Sequence, residues 1–153
     1  MAITSKTNFD RARSVARFTD LPILGSVFFV SSVTGSATGG YTPDAPAATI
    51  DQSIGLCTAN KGDVIFVAPD HAETITAASG IDLDIAGITV IGLGQGSNRP
   101  TVTFGTSTAA SIDFSAANCT LKNIRCVSNI DDLASFVIGG AGGATIEDCD
   151  FIG

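Results

Sequence analysis

Three short phrases along this chain set apolar and polar residues in nearly the same order: TVIGLG at 89–94, TLKNIRC at 120–126 and TIEDCDF at 145–151. Each opens on Thr, continues with an aliphatic residue and reaches Gly, Asn or Asp three places after the Thr. Aligning Gly87, Asn118 and Gly143 brings Ile88, Cys119 and Ala144 into one column and Val90, Leu121 and Ile146 into another. Gly92, Asn123 and Asp148 follow, then Leu93, Ile124 and Cys149, and Cys126 falls level with Phe151. The intervals are 31 and 25 residues, a spacing that marks a repeat architecture. Two columns contain only Gly, Asn or Asp, residues that tolerate left-handed backbone and tight turns. Between them about four residues alternate apolar with polar, the mark of a short half-buried strand. Recurrent Leu and i, i+4 periodicity are both missing from these segments. Each phrase therefore reads as part of one coil of a parallel β-helix, in which like residues stack above like. Val90, Leu121 and Ile146, with Leu93, Ile124 and Cys149, are expected to be buried columns. Residues 94–100 and 128–133 are expected to bulge as loops.

The rest of the chain changes rhythm. SVFFVSS (26–32) reads as a strand, and 34–46, dense in Gly, Pro, Ser and Thr, as a loop. The Gly pair there lacks a Lys at P-loop spacing and is no phosphate cradle. Over 46–60 the period becomes helical: Ile50, Ile54 and Cys57 share a face, Pro46 suits a start, and Asn60 with Gly62 suits an end. A strand over 62–69 follows, stopped by Pro69. An amphipathic helix over 47–59 would lay Ile50, Ile54 and Cys57 on the open end of the β-helix and cap it. Residues 1–45 read as an N-terminal arm, with a short helix starting at Asn8 that gathers Phe9, Ala12, Val15 and Ala16. The domain expectation is thus an arm over 1–45 and a capped β-helix over 46–153, whose far end is expected either to be covered by another subunit or to continue in further coils past Gly153, the second reading being preferred.

Composition narrows the classes. The chain has 153 residues, enough for one domain with a core, and is 44% hydrophobic and 15% charged, outside the disordered class. Its net charge of −7 is uneven: residues 1–20 carry Lys6, Arg11, Arg13 and Arg17 against Asp10 and Asp20. The acidic body argues against nucleic-acid binding, whereas the basic start suits an acidic surface. No signal peptide is visible, and LPILGSVFFV (21–30) is too short and too broken by Pro and Gly to span a membrane. Cys57, Cys119, Cys126 and Cys149 form no CxxC pair, so they read as small apolar core residues rather than zinc ligands.

The segment ATIDQSIGLCTANKGDVIFVAPDHAETI (48–75) resembles the opening of pectate-lyase-like right-handed β-helix proteins, where a capping helix leads into a GD.I.V.PG.Y.E.I pattern. The matches are Thr49, Ile50, Gly62, Asp63, Val64, Ile65, Val67, Pro69, Glu73 and Ile75; Asp70 replaces a usual Gly, and His71 stands near a usual aromatic. The resemblance covers residues 46–153 and implies an all-β, right-handed parallel β-helix (solenoid) with an N-terminal capping helix. The arrangement also resembles bacteriophage virion proteins that carry a β-helix behind a short arm. That likeness implies a structural or attachment role in the particle as a capsid decoration, head fibre or tailspike. It also implies a virion location, docking on other virion proteins through the arm, a trimeric homo-oligomer and a host surface glycan as ligand. No membrane or nucleic-acid partner is expected.

The pectate-lyase likeness also implies acidic calcium ligands and a basic catalytic residue on one outer face. The catalytic candidates are Asp82, Asp113, Asp148 and Asp150, with Asp84 nearby and Arg125 as base. Asp82 and Asp113 align on neighbouring coils, but Asp84 meets Ser115, so at most two oxygen-bearing side chains assemble where calcium wants several. Asp148 and Asp150, two apart on one strand, have a spacing that a glycosidase pair permits, and acids on an exposed strand account for them equally. Asp131–Asp132 reads as a turn. His71 reads as a loop histidine without a nucleophile beside it. No cofactor is expected, and a scaffold is favoured over the alternative, a polysaccharide-active enzyme whose active coils lie mostly outside this segment.

Overall fold

A computed structural model describes residues 25–153. The short helix expected within residues 1–24 lies outside the described residues. Among them, the chain folds as a parallel β-solenoid. Strand β1 (Val27–Val30) is followed by a long loop and helix α1 (Ile50–Ile54). One full coil then runs through β2 (Val64–Val67), β3 (Ala72–Ile75) and β4 (Ile81–Asp82). The next uses β5 (Thr89–Gly92), β6 (Thr101–Phe104) and β7 (Ile112–Phe114), and a third uses β8 (Thr120–Lys122), β9 (Arg125–Ser128) and β10 (Val137–Gly139). Strands β11 (Thr145–Glu147) and β12 (Asp150–Ile152) begin a further coil. Like strands stack into three parallel sheets ordered β1-β2-β5-β8-β11, β3-β6-β9-β12 and β4-β7-β10.

The first sheet carries the repeat. Phe28 pairs with Ile65, Ile65 with Val90, Val90 with Leu121 and Leu121 with Ile146. The first four are buried, because alternation turns every second side chain inward, whereas Ile146, expected to be buried with Val90 and Leu121, is 42% exposed on the last rung described. The sheet also takes in β1, a strand from the segment read as the arm, laid in register along β2. The Gly/Asn column is a stacked corner. Asn60, Gly87, Asn118 and Gly143 all hold positive φ, between 58° and 78°. The corners bond from rung to rung: Asn60 N–H donates to Ala86 O, Gly87 N–H to Ala117 O, and Asn118 N–H to Gly142 O.

The second expected core column is only partly formed. Ile124 is fully buried and Cys149 packs against the core, but Leu93 lies outside the core cluster. Thr101 pairs with Arg125, and Pro100 O accepts the Arg125 N–H, so buried Pro100 stands level with Ile124 instead. The cause is the bulge over 93–100, which includes a 3-10 turn at Gly96–Asn98: this coil runs 31 residues from 89 to 120 against 25 from 64 to 89, and four of the six extra residues fall between β5 and β6, the other two between β6 and β7. Gly92 is the last residue of β5 rather than a corner, and the left-handed angle falls on Asn123 (φ 57°) and Asp148 (φ 52°).

Helix α1 is a single turn, shorter than the 47–59 expected. The Thr49 hydroxyl accepts the Gln52 N–H, and the Gln52 side chain accepts the Ala48 N–H, a near-reciprocal capping box. Beyond Gly55 the chain tightens: Leu56 N–H donates to Ser53 O and Cys57 N–H to Ile54 O. Ile50 and Ile54 are fully buried, whereas Cys57 is half-buried beyond the helix end. The helix packs on β1, β2 and β4.

Candidate functional site

The Gly62–Asp63 step is structural in its geometry. Asp63 is buried at the start of β2. Its Oδ1 accepts the Ser26 N–H at 2.6 Å and its Oδ2 the Thr58 N–H at 2.7 Å. One carboxylate therefore ties β1, the chain after α1 and β2 together. Gly25 is required beside it, since a Cβ there would run into the carboxylate. Gly62, with φ 72°, turns the backbone into place.

His71 is not an exposed loop residue. It is buried, with Nε2 2.9 Å from Glu73 Oε2, and the same Glu73 oxygen accepts the Ile50 N–H at 3.0 Å. Glu73 pairs in register with fully buried Val102, an inward position. The carboxylate is held there because it serves the first N–H of α1, a donor without an intrahelical partner. Among the described residues, the hydrogen bonds of this pair reach no nucleophilic side chain.

Asp82 and Asp113 do pair in register on β4 and β7. Asp113 accepts the Ser79 hydroxyl, and the Asp82 N–H donates to Asp51 Oδ1 at 3.0 Å. Burial pushes the Asp51 carboxyl above its ordinary value; the Asp82 N–H opposes the shift, and the charges of Asp84, Asp82 and Glu73 reinforce it. The acidic column ends at the next rung, where Ile138 stands over Asp113. Among the described residues, no three His, Cys, Asp or Glu side chains are grouped so that they could hold a metal ion.

Asp148 and Asp150 do not share a strand. Asp148 is a left-handed corner between β11 and β12, and Asp150 begins β12. Asp150 Oδ2 lies 2.7 Å from Arg99 Nη1 and 3.8 Å from Arg125 Nε, while Lys122 Nζ lies 2.8 Å from Glu147 and 3.8 Å from Asp148. Together with Gln95 and Asn123, Arg99, Lys122, Asp148 and Asp150 line an open groove of about 650 Å³ beside the 93–100 bulge. Arg125 donates to Gly96 O at 3.0 Å, and Asn123 Nδ2 donates to Gly92 O and Gly94 O at 2.8 and 3.0 Å. Both side chains are thereby spent on holding the bulge, and Arg125 is engaged as a clamp rather than poised as a base.

The cysteines are free thiols. Burial pushes Cys57 and Cys126 up to about 12, with Asp63 adding to the first and Cys149 and Asp150 to the second. Burial also raises Cys119 and Cys149. None is activated as a nucleophile, which requires a lowered value. Sequence reasoning missed the Asp63 tie, the His71–Glu73 pair and the Asn123 clamp. The GD and E.I elements of the 48–75 pattern were their signal, read there as a family mark rather than as hydrogen bonds.

The chain is defined by this geometry as a parallel β-solenoid protein. In comparisons with protein-family models, curated proteins and solved structures, nothing matches it. No helix among the described residues is long and apolar enough to cross a membrane.

Proposed function

We propose that this chain is a rigid structural element, an attachment or decoration component of a bacteriophage particle, whose work is done by the shape of its solenoid. The observation that carries this reading is how the polar side chains are used. Asp63, Glu73, Asn123, Arg125 and Asp150 are engaged with backbone groups or with one another across coils. In this reading the coils are right-handed, as parallel crossovers overwhelmingly are, and α1 closes one end of the stack. The arm fixes a homo-oligomer, a trimer by analogy with fibres, to other virion proteins, and the location is the virion. The phage assignment rests on the resemblance of the arm-plus-helix arrangement, and a fold of this kind hosts many functions.

The test is to label the chain in purified particles and image them. Density at a fixed place on a head or tail supports the role; purified particles that do not contain the chain refute it. The enzyme alternative makes the opposite forecast: turnover of an acidic polysaccharide in the presence of calcium, abolished by Asp82→Ala or Asp113→Ala.

A further inference from the structure

We propose that helix α1 is a proton-responsive clasp over the β3–β4 edge of the solenoid, held shut in mild acid and loosened as the pH rises. This stands independently of the phage reading. Strands β3 and β4 are the first of their sheets, so on the α1 side each presents backbone groups without a strand partner. A bare edge of this kind is a pairing surface. Here side chains close it. Asp51, in the first turn of α1, accepts the Asp82 N–H of β4 at 3.0 Å. The Ser32 hydroxyl accepts the Ala72 N–H of β3 at 2.9 Å, and Glu73 of β3 accepts the Ile50 N–H of α1 at 3.0 Å. Ile50 and Ile54, on the same helix, are buried in the core. A single turn has little helical stability of its own, so the docking of α1 depends on these contacts.

Charge sets the response. Between residues 25 and 98 the chain carries Asp44, Asp51, Asp63, Asp70, Glu73, Asp82 and Asp84 against Lys61 and His71. Helix α1 packs on β1, β2 and β4. Strands β1 and β2 bear no charged residue, and β4 bears Asp82. Glu73 and Asp84 complete the set of charges felt by Asp51, and Asp113 stands in register with Asp82. His71 is engaged by Glu73 Oε2. Among the described residues, none of Asp51, Asp82 and Asp84 forms an ion pair. Burial holds the Asp51 carboxyl above 3.8; the Asp82 N–H opposes the shift, and the charges of Asp84, Asp82 and Glu73 add to it. Opening the clasp returns this carboxyl to water. Its contribution to closure is therefore complete below 3.8 and lost as the pH rises through the folded value. The bond from Asp82 survives protonation, because a carboxylic acid keeps a carbonyl oxygen as acceptor. The proton removes the repulsion without removing the clasp.

The experiment is native-state hydrogen exchange on the full chain, with and without sub-denaturing urea, between about pH 4 and about pH 7. The Gly55 and Asp82 amides donate to the backbone and the side chain of Asp51. They should exchange through a local opening with little urea dependence, whereas amides of β5 and β8 should follow global unfolding. Protection at Gly55 and Asp82, corrected for the intrinsic rate, should fall as the pH rises. Asp51→Asn should abolish that fall. Asp84→Lys, at an exposed position, should shrink it by setting an opposite charge near Asp51. Protection at Gly55 and Asp82 that does not change with pH overturns the proposal, as does exchange at those amides with the full urea dependence of β8. A fall that survives Asp51→Asn also overturns it, and would move the response to His71 and Glu73.

Discussion

Replacing Asp63 by Ala should destabilise the protein by about 3 kcal/mol. The carboxylate is buried and accepts two backbone N–H groups, from Ser26 and Thr58, at 2.6 and 2.7 Å. A hydrogen bond to a charged group contributes about 1.5–3 kcal/mol, and a buried donor left without an acceptor costs about 1–3 kcal/mol. Both donors sit at partly buried sites, so water recovers some of the loss, and the lower end of each range applies. Against a total of roughly 5–15 kcal/mol this is a large fraction. With a urea slope of about 2 kcal/mol per molar, the midpoint should fall by about 1.5 M. Asp63→Asn keeps one acceptor and turns an NH2 toward the other donor, so it should lose an intermediate amount. Hydrogen exchange adds a local readout: the Ser26 and Thr58 amides should lose protection in the Ala variant ahead of β5 and β8. A midpoint shift below about 0.3 M, with those two amides still protected, would show that the carboxylate is not what ties β1 and the chain after α1 to β2.

Leu121→Ala, in the middle of the first inward column, should cost about 2–5 kcal/mol by urea denaturation, since the rungs above and below cannot collapse independently. Asp51→Asn should stabilise the protein at neutral pH and flatten its acid-side profile: the raised folded value means that the stability linked to this carboxyl is present below 3.8 and lost as pH rises through that folded value, so wild type should gain stability on mild acidification and the variant should not. Cys126, pushed up to about 12 by burial, should resist a thiol reagent at pH 8 until denaturant is added; rapid native-state labelling at that position would contradict its placement in the column with Val102 and Phe151. Asn123→Gly should be less damaging than Asn123→Ala in thermal melts, because both lose the bonds to Gly92 and Gly94 but only Ala is also strained at φ 57° by about 1–2 kcal/mol.

The columns that sequence made legible are those where nothing interrupts the 25-residue step or where the insertion falls outside the aligned phrase. Val90, Leu121 and Ile146 satisfy this, as do the left-handed corners at Gly87, Asn118 and Gly143. Leu93 fails because four of the six extra residues of this coil enter directly after Gly92, so chain order no longer predicts stacking order and Pro100 takes the place beside Ile124. Asp148 and Asp150 looked like strand neighbours because spacing alone cannot show a left-handed corner at a non-Gly residue. Helix α1 was overdrawn because Cys57 keeps the helical period while the backbone has already tightened past Gly55. Buried His71 and half-buried Glu73 were invisible because polar residues at inward positions are satisfied by partners far along the chain, here the first N–H of α1, 23 residues earlier.

The bulge over 93–100 has a practical meaning. Its backbone is held at the first foot by Asn123 to Gly92 and Gly94, near the middle by the Arg125 side chain to Gly96, and at the second foot by the Arg125 N–H to Pro100 O, while a side chain built on Gly96 would meet nothing within 4 Å. Coil circumference is thus negotiable at this corner, with Pro100 filling the inward place beside Ile124. Foreign peptides spliced next to Gly96 should be displayed as ornaments on an undisturbed rod, which makes this corner the natural place to graft an epitope or a tag.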